Sequence, residues 1–299
     1  MTWAAAAGIA VVAGLLVLIH TPLVVGRVET WIRAKVASAW QLDLQFTNLR
    51  YNAITRRVSF DDVRLAAPGH TQDPFFSARR VSASLPWLVY RGVLQVSSLV
   101  VEDGRVLLVR EHGSMANLPP SSGKPPPIVP RRFDVRALTV NRLAFDYEDR
   151  TGNADVRVRD LGLALSERTR DRTVDTAGTI TAASLAVRLG DRSTVTTAPL
   201  RGTLAFDGSH VTVEGLTVPL RELTAVVGGR VTRALDDATF DLGLKGDLDV
   251  AAIAEWTPPL VPVSGAGTFT GRFAGPLDGY ALDAEFTAPR TRIGHADDV

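Results

Sequence analysis

Apolar and polar residues alternate one for one along most of the chain. The clearest run is 240–250, where Phe240, Leu242, Leu244, Leu248 and Val250 share one parity and Asp241, Lys245, Asp247 and Asp249 the other. Successive side chains of a strand point to opposite faces, so this pattern predicts strands with one face in an apolar environment and the other in water. Tyr280, Leu282, Ala284 and Phe286 alternate in the same way with Asp283 and Glu285, as do Leu143, Phe145 and Tyr147 with Ala144, Asp146 and Glu148. Val211 and Val213 alternate with Thr212 and Glu214. Val58 and Phe60, then Val63 and Leu65, change parity at Asp61-Asp62, which predicts a bulge. Turn dipeptides (Asp103-Gly104, Asp207-Gly208, Gly228-Gly229, Asp278-Gly279) punctuate the alternation. Turn signals recur about every ten residues, too closely for helices to intervene, so the expected class is mostly β.

Short segments recur as well. Gly178-Thr179-Ile180, Gly202-Thr203-Leu204 and Gly267-Thr268-Phe269 each read as the opening of a strand, with Gly229-Arg230-Val231 and Gly271-Arg272-Phe273 as variants. Such repetition predicts a quasi-one-dimensional array in which each unit packs on its neighbours. A sheet with one apolar face must cover it, and the sequence offers few helices to do so. The expectation is an elongated, curled, repeat-like β-sheet groove with an apolar inner face. Some 20 strands at ~4.8 Å would make a trough about 100 Å long. The candidate groove residues are Phe240, Leu242, Leu244, Leu248, Val250, Leu282 and Phe286.

Other stretches break the alternation. Ala4 to Ile19 holds no charged or strongly polar side chain, and the apolar run resumes at Leu23-Val24-Val25. That approaches the ~20 residues a helix needs to cross a bilayer. No Lys or Arg precedes the run, and Ala37-Ser38-Ala39 lies beyond Arg27, Glu29, Arg33 and Lys35. Residues 1–26 therefore read as an uncleaved transmembrane signal-anchor. Residues 27–40 read as a short amphipathic helix, with Val28, Trp31, Ile32, Val36 and Trp40 near one face and tryptophans of a type that favours membrane interfaces. Residues 117–130 carry six of the 17 prolines, which excludes a central strand or a helix there. This linker divides a β domain, 41–116, from a longer repeat-like region, 131–299. The stretch 287–299 offers no capping element, so the array is expected to continue in a longer protein.

Composition narrows the chemistry. The net charge is +1, and no basic patch interleaves with aromatics, so nucleic acid is not an expected partner. Cysteine is absent, which excludes disulfides and thiolate metal sites. His20, His70, His112, His210 and His295 are far apart, and no H-x-x-x-H, nucleophile elbow or phosphate loop is present. Asp61-Asp62, Asp236-Asp237 and Asp297-Asp298 read as a bulge, a turn and a tail. No catalytic residue, metal ligand or cofactor is assigned, and the reading is not an enzyme.

The order of segments is similar to one family. An anchor and short helix precede Val58-Ser59-Phe60-Asp61-Asp62-Val63-Arg64-Leu65. Pro74 to Val81 comes next, then a hydrophobic turn at Leu88–Gly92. Leu94 to Leu99 leads to Val101-Glu102-Asp103-Gly104-Arg105-Val106, and Gly113 to Leu118 matches a Gly-x-x-x-Asn-Leu element before a proline-rich loop, with Met115-Ala116 where the family often has an aromatic. The chain thus resembles the N-terminal part of bacterial AsmA-like proteins, TamB-type members in particular. Ser264–Ala288 resembles the glycine-punctuated repeats of their middle region. The resemblance implies a single-pass protein of the inner membrane with its β region in the periplasm. It also implies an apolar groove carrying phospholipid toward the outer membrane and, through a C-terminal domain not recognisable here, an outer-membrane barrel assembly partner. The charges alone point the other way, because Arg27, Arg33 and Lys35 all follow the apolar run. An alternative role is a scaffold for outer-membrane protein assembly that acts through exposed strand edges.

Overall fold

The computed structural model describes residues 22–293 except 53, 71, 85–93, 113, 119–132, 171–172, 208–209, 233–238, 255–262, 277–278, 280 and 289–291. The apolar run Ala4–Ile19, most of the proline-rich segment and Tyr280 lie outside the described residues. Among the described residues, no helix is long and apolar enough to cross a membrane. The chain is mostly β, and sixteen strands belong to one sheet. It forms two compact units, one of residues 1–106 with 117–136, the other of residues 107–116 with 137–299.

The first unit opens with helix α1 (Pro22–Trp40), which starts earlier than the expected 27–40. Proline suits the first helical position, where its missing N–H has no partner to lose. Strands β1 (Asp43–Asn52), β2 (Arg57–Ala66), β3 (Phe76–Ser84) and β5 (Ser98–Glu111, through Val106 in this unit) follow one another in the sheet, all antiparallel. Strand β4 (Leu94–Val96) pairs in parallel with β7 (Phe133–Val135) in a small separate sheet. The predicted bulge is present. Between β1 and β2 the register shifts on both sides of Thr47↔Asp61, and Asn48 and Asp62 sit at φ 49° and 51°. Asp103-Gly104, read as a turn, instead lies inside β5, with Asp103 at φ 51°. Asn and Asp tolerate this left-handed conformation better than most side chains. The core of the unit is small and includes buried Phe46, Val63, Ala78 and Val101. Phe46 meets Phe60 edge-on at 5.0 Å. Arg33 of α1 lies 4.7 Å above the Phe46 ring and donates to the Phe46 carbonyl at 3.1 Å.

The second unit holds β6 (Ser114–Met115), which pairs with the end of β5, and then a meander. Strands β8 (Ala137–Asp149), β9 (Ala154–Arg170), β10 (Thr173–Ala182), β13 (Leu200–Phe206) and β14 (His210–Pro219) lead to β15 (Leu223–Thr232), β16 (Thr239–Asp249), β18 (Ala266–Pro276) and β19 (Ala281–Thr287), each antiparallel to the one before. Strand β11 (Ser184–Leu189) continues the register of β10 along β9, and β12 (Arg192–Val195) returns beside it. A five-residue helix, α2 (Val250–Ala254), follows β16 directly. Strands β17 (Val263–Ser264) and β20 (Arg292–Ile293) form a separate pair. Of the glycine repeats, Gly267 and Gly202 stand near the starts of β18 and β13, as read from sequence, but the others do not open strands. Gly178 lies in the middle of β10, and Gly228-Gly229, read as a turn, lies inside β15. Among the described residues no large side chain is completely buried, which fits a sheet with little layered on it.

Candidate functional site

The residues with the strongest alternation come together on one face of β14, β15, β16, β18 and β19. Reading across the strands, the pairs run Val218, Ala225, Gly246, Phe269, Phe286 in one row and Leu216, Val227, Leu244, Gly271, Ala284 in the next. A third row is Val213, Gly229, Leu242, Phe273, Leu282, and a fourth is Val211, Val231, Phe240, Gly275. Leu223, Leu248 and Gly267 close one end. These rows hold no charged residue. The intervening rows carry Lys245 opposite Thr270, and Arg272 opposite Asp283. Four strand spacings of ~4.8 Å and four two-residue steps give an apolar face of about 19 by 27 Å. That is near the upper size of the apolar patches that soluble monomers leave exposed.

The face is graded. At one end Ala225, Leu248 and Phe269 are buried and form a cluster with Val218, Leu223, Leu244 and Val250. Toward the outer strand cover is lost, and Leu282 and Phe286 are 62% and 63% exposed. Phe240 stands edge-on to Phe273 at 5.5 Å, and Phe269 lies 6.4 Å from Phe286.

Glycine sets the shape of this surface. A β-carbon on Gly246 would overlap the Thr224 carbonyl oxygen, and one on Gly229, at φ +143°, would overlap that of Asp241. Neighbouring backbones approach too closely at both places for any side chain. Each glycine is flanked by a large apolar residue in the next strand, Phe269 beside Gly246 and Leu242 beside Gly229. The face therefore alternates bulk with gaps.

The polar face is held by charge. The Arg272 Nε donates to Asp241 at 2.7 Å, and this hydrogen bond is the main reason the Asp241 carboxyl stays below its usual range. Among the described residues no group of His, Cys, Asp and Glu side chains gathers that could hold a metal.

The structure brings most of the sequence candidates together. Phe240, Leu242 and Leu244 are half-buried and Leu248 is buried on the same side of β16. Leu282 and Phe286 share that side on β19. Val250 packs on the same cluster, although it opens α2 and does not continue the strand. Asp249 Oδ1 accepts from the Ala251 and Ala252 N–H groups and caps the helix there. Sequence reading missed Phe269 and Phe273. Their signal was the alternation Gly267, Phe269, Gly271, Phe273, Gly275 within the glycine repeats.

No model of a known protein family matches the chain, and a search of curated proteins finds no match.

Proposed function

We propose that this protein is a membrane-anchored lipid carrier of the bacterial envelope, with phospholipid acyl chains lying on the apolar face of β14–β19. The observation that carries the reading is the segregation across these strands. The rows from Val218 to Phe286 are wholly apolar and lose cover toward β19, while the charged residues of these strands stand in the rows between them. The part of this face left open, greatest at Leu282 and Phe286, is costly in water, and acyl chains would cover it at about 25 cal/mol per Å². The alternation of phenylalanine and glycine suits a flexible chain better than a rigid ligand. Headgroups would stay in water, so affinity comes from area and no single residue is essential. The apolar N-terminal segment would fix the protein in the inner membrane with the sheet in the periplasm. The likeness to AsmA-like proteins of the TamB type supports the same reading. In a longer protein an outer-membrane barrel assembly partner would receive the cargo.

The test is lipid extraction from the full-length protein purified from bacterial envelopes, compared with Leu242→Asp/Leu244→Asp. The expected result is phospholipid bound in stoichiometric amount by the parent and lost from the variant. Equal recovery from both would count against the lipid-binding face.

A second reading rests on the outer strand. Among the described residues strand β19 pairs only with β18, and all its residues are exposed. Such an edge can template an added strand. If the protein scaffolds outer-membrane protein assembly through that edge, proline at Asp283 will impair function more than aspartate at Leu244.

A further inference from the structure

We infer that the tip of the β1–β2 hairpin, centred on Ile54, is a second membrane contact that touches the anionic phospholipid headgroups of the bilayer entered by the N-terminal segment. The inference rests on the anchored reading above and adds a surface to it.

The geometry of the first unit carries it. Helix α1 ends at Trp40 and β1 begins at Asp43. The chain reverses there, since Arg33 reaches back to both the ring and the carbonyl of Phe46. Among the residues of α1 whose exposure is described, Glu29, Ile32 and Val36 are half-buried, at the spacing of one helix face. Ala37, Gln41, Leu42, Asp43 and Pro68 line one cleft. The helix end, the strand start and the β2–β3 turn therefore share one end of the unit.

The opposite end follows from lengths. Nineteen helical residues at ~1.5 Å each carry Pro22 about 28 Å back from Trp40. Ten strand residues at ~3.3 Å carry the hairpin tip about 33 Å from Asp43. The tip is thus near the level at which α1 begins, within the last residues of the apolar 1–26 segment.

The tip is built for a bilayer surface. Asn52 Oδ1 accepts from the backbone N–H groups of Ile54 and Thr55, which fixes the turn. Ile54 projects from it with 86% exposure, more than any other large hydrophobic residue described. The sequence from 50 to 57 carries Arg56 and Arg57 beside the tip and no acidic residue, Arg50 being paired with Asp61 at 3.1 Å, whereas the turn at the other end, 67–74, has no arginine or lysine. An apolar tip ringed by cations on one end only matches an interface of acyl chain and phosphate.

The absence of native cysteine makes the test clean. Full-length Ile54→Cys and His70→Cys, each carrying a nitroxide, are reconstituted in vesicles of phosphatidylethanolamine and phosphatidylglycerol, and flotation is checked first. Collision with lipid-soluble oxygen is then compared with collision with a water-soluble nickel chelate. The oxygen-to-nickel ratio should be several-fold higher at position 54 than at position 70. It should fall on Arg57→Gln or when phosphatidylcholine replaces phosphatidylglycerol. Protein that floats yet shows equal ratios at both positions overturns the hairpin contact and leaves anchoring intact. Protein that does not float overturns both. A ratio indifferent to headgroup charge overturns the anionic assignment.

Discussion

Strands β1–β3 and strands β14–β19 carry the same alternation, but their apolar residues meet different fates. In the first set, α1 folds back onto the sheet, and Phe46 is only 5% exposed beneath Arg33. In the second, the described residues supply only the five-residue α2 at one end, and Phe286 on the outer strand is 63% exposed. The two regions also share a device and differ in one. The first has a left-handed Asn48 and Asp62 in facing bulges, braced by Asp61, which pairs with Arg50 at 3.1 Å and Arg80 at 2.9 Å. The second has a left-handed Gly215 in the bulge of β14 and adds Gly229 and Gly246, where backbones approach too closely for a side chain. Ion-paired bulges suit a region that packs as a core. Glycine gaps between phenylalanines suit a face that takes up something else. A sheet can thus carry one hydrophobic pattern and serve stability in one place and binding in another, depending on what the chain lays over it.

The largest effect that would break this contrast is steric. Gly246→Val places side-chain carbons against the Thr224 carbonyl and should cost more than about 3 kcal/mol, enough to part β15 from β16. Pulse proteolysis in urea will register it as cleavage of the second unit at lower denaturant. The next prediction sharpens the contrast directly. Phe46→Ala should destabilise the first unit by about 3 kcal/mol, while Phe286→Ala should cost under about 1 kcal/mol in the second. Equal costs, measured in the same way, would mean that both faces are cores.

A smaller effect separates the regions by pH. Hydrogen bonding from Arg80 is the main cause that holds the Asp61 carboxyl below its ordinary value of 3.8, and the nearby Arg50 charge adds to it. A depressed folded-state pKa means stabilisation that is present above the unfolded value and lost as pH falls through the folded one. Asp61→Asn should therefore lower the stability of the first unit at neutral pH and flatten its decline below about pH 4. An unchanged acid limb would remove Asp61 from the account. The smallest effect belongs to Asp241→Asn. Its pair with Arg272 is well exposed on both sides, so solvent screening leaves little to lose, and urea midpoints should not move measurably.

The sequence made some of these features legible and hid others, for physical reasons. Alternation in β16 placed Phe240, Leu242, Leu244 and Leu248 on one face, because strand periodicity is local. The bulge at Asp61-Asp62 showed as a parity slip. Val250 looked like strand because it keeps the strand's parity, although Asp249 before an alanine-rich run was a readable N-cap. Asp103-Gly104 and Gly228-Gly229 looked like turns because the same dipeptides serve turns and bulges alike, and only strand pairing distinguishes them. Phe269 and Phe273 escaped notice because glycine between them masks alternation. No local pattern could show which apolar face α1 would cover, since that depends on where the chain reverses after Trp40.

The most direct test of the central claim uses the two faces of one strand. A photoreactive phenylalanine analogue is placed at Phe273, on the apolar face of β18, or at Thr270, on its polar face, in the full-length protein in living bacteria. After irradiation, adducts are identified by mass spectrometry. The account predicts phospholipid adducts at position 273 and few or none at position 270. Equal phospholipid labelling at both positions, or none at position 273, would contradict it.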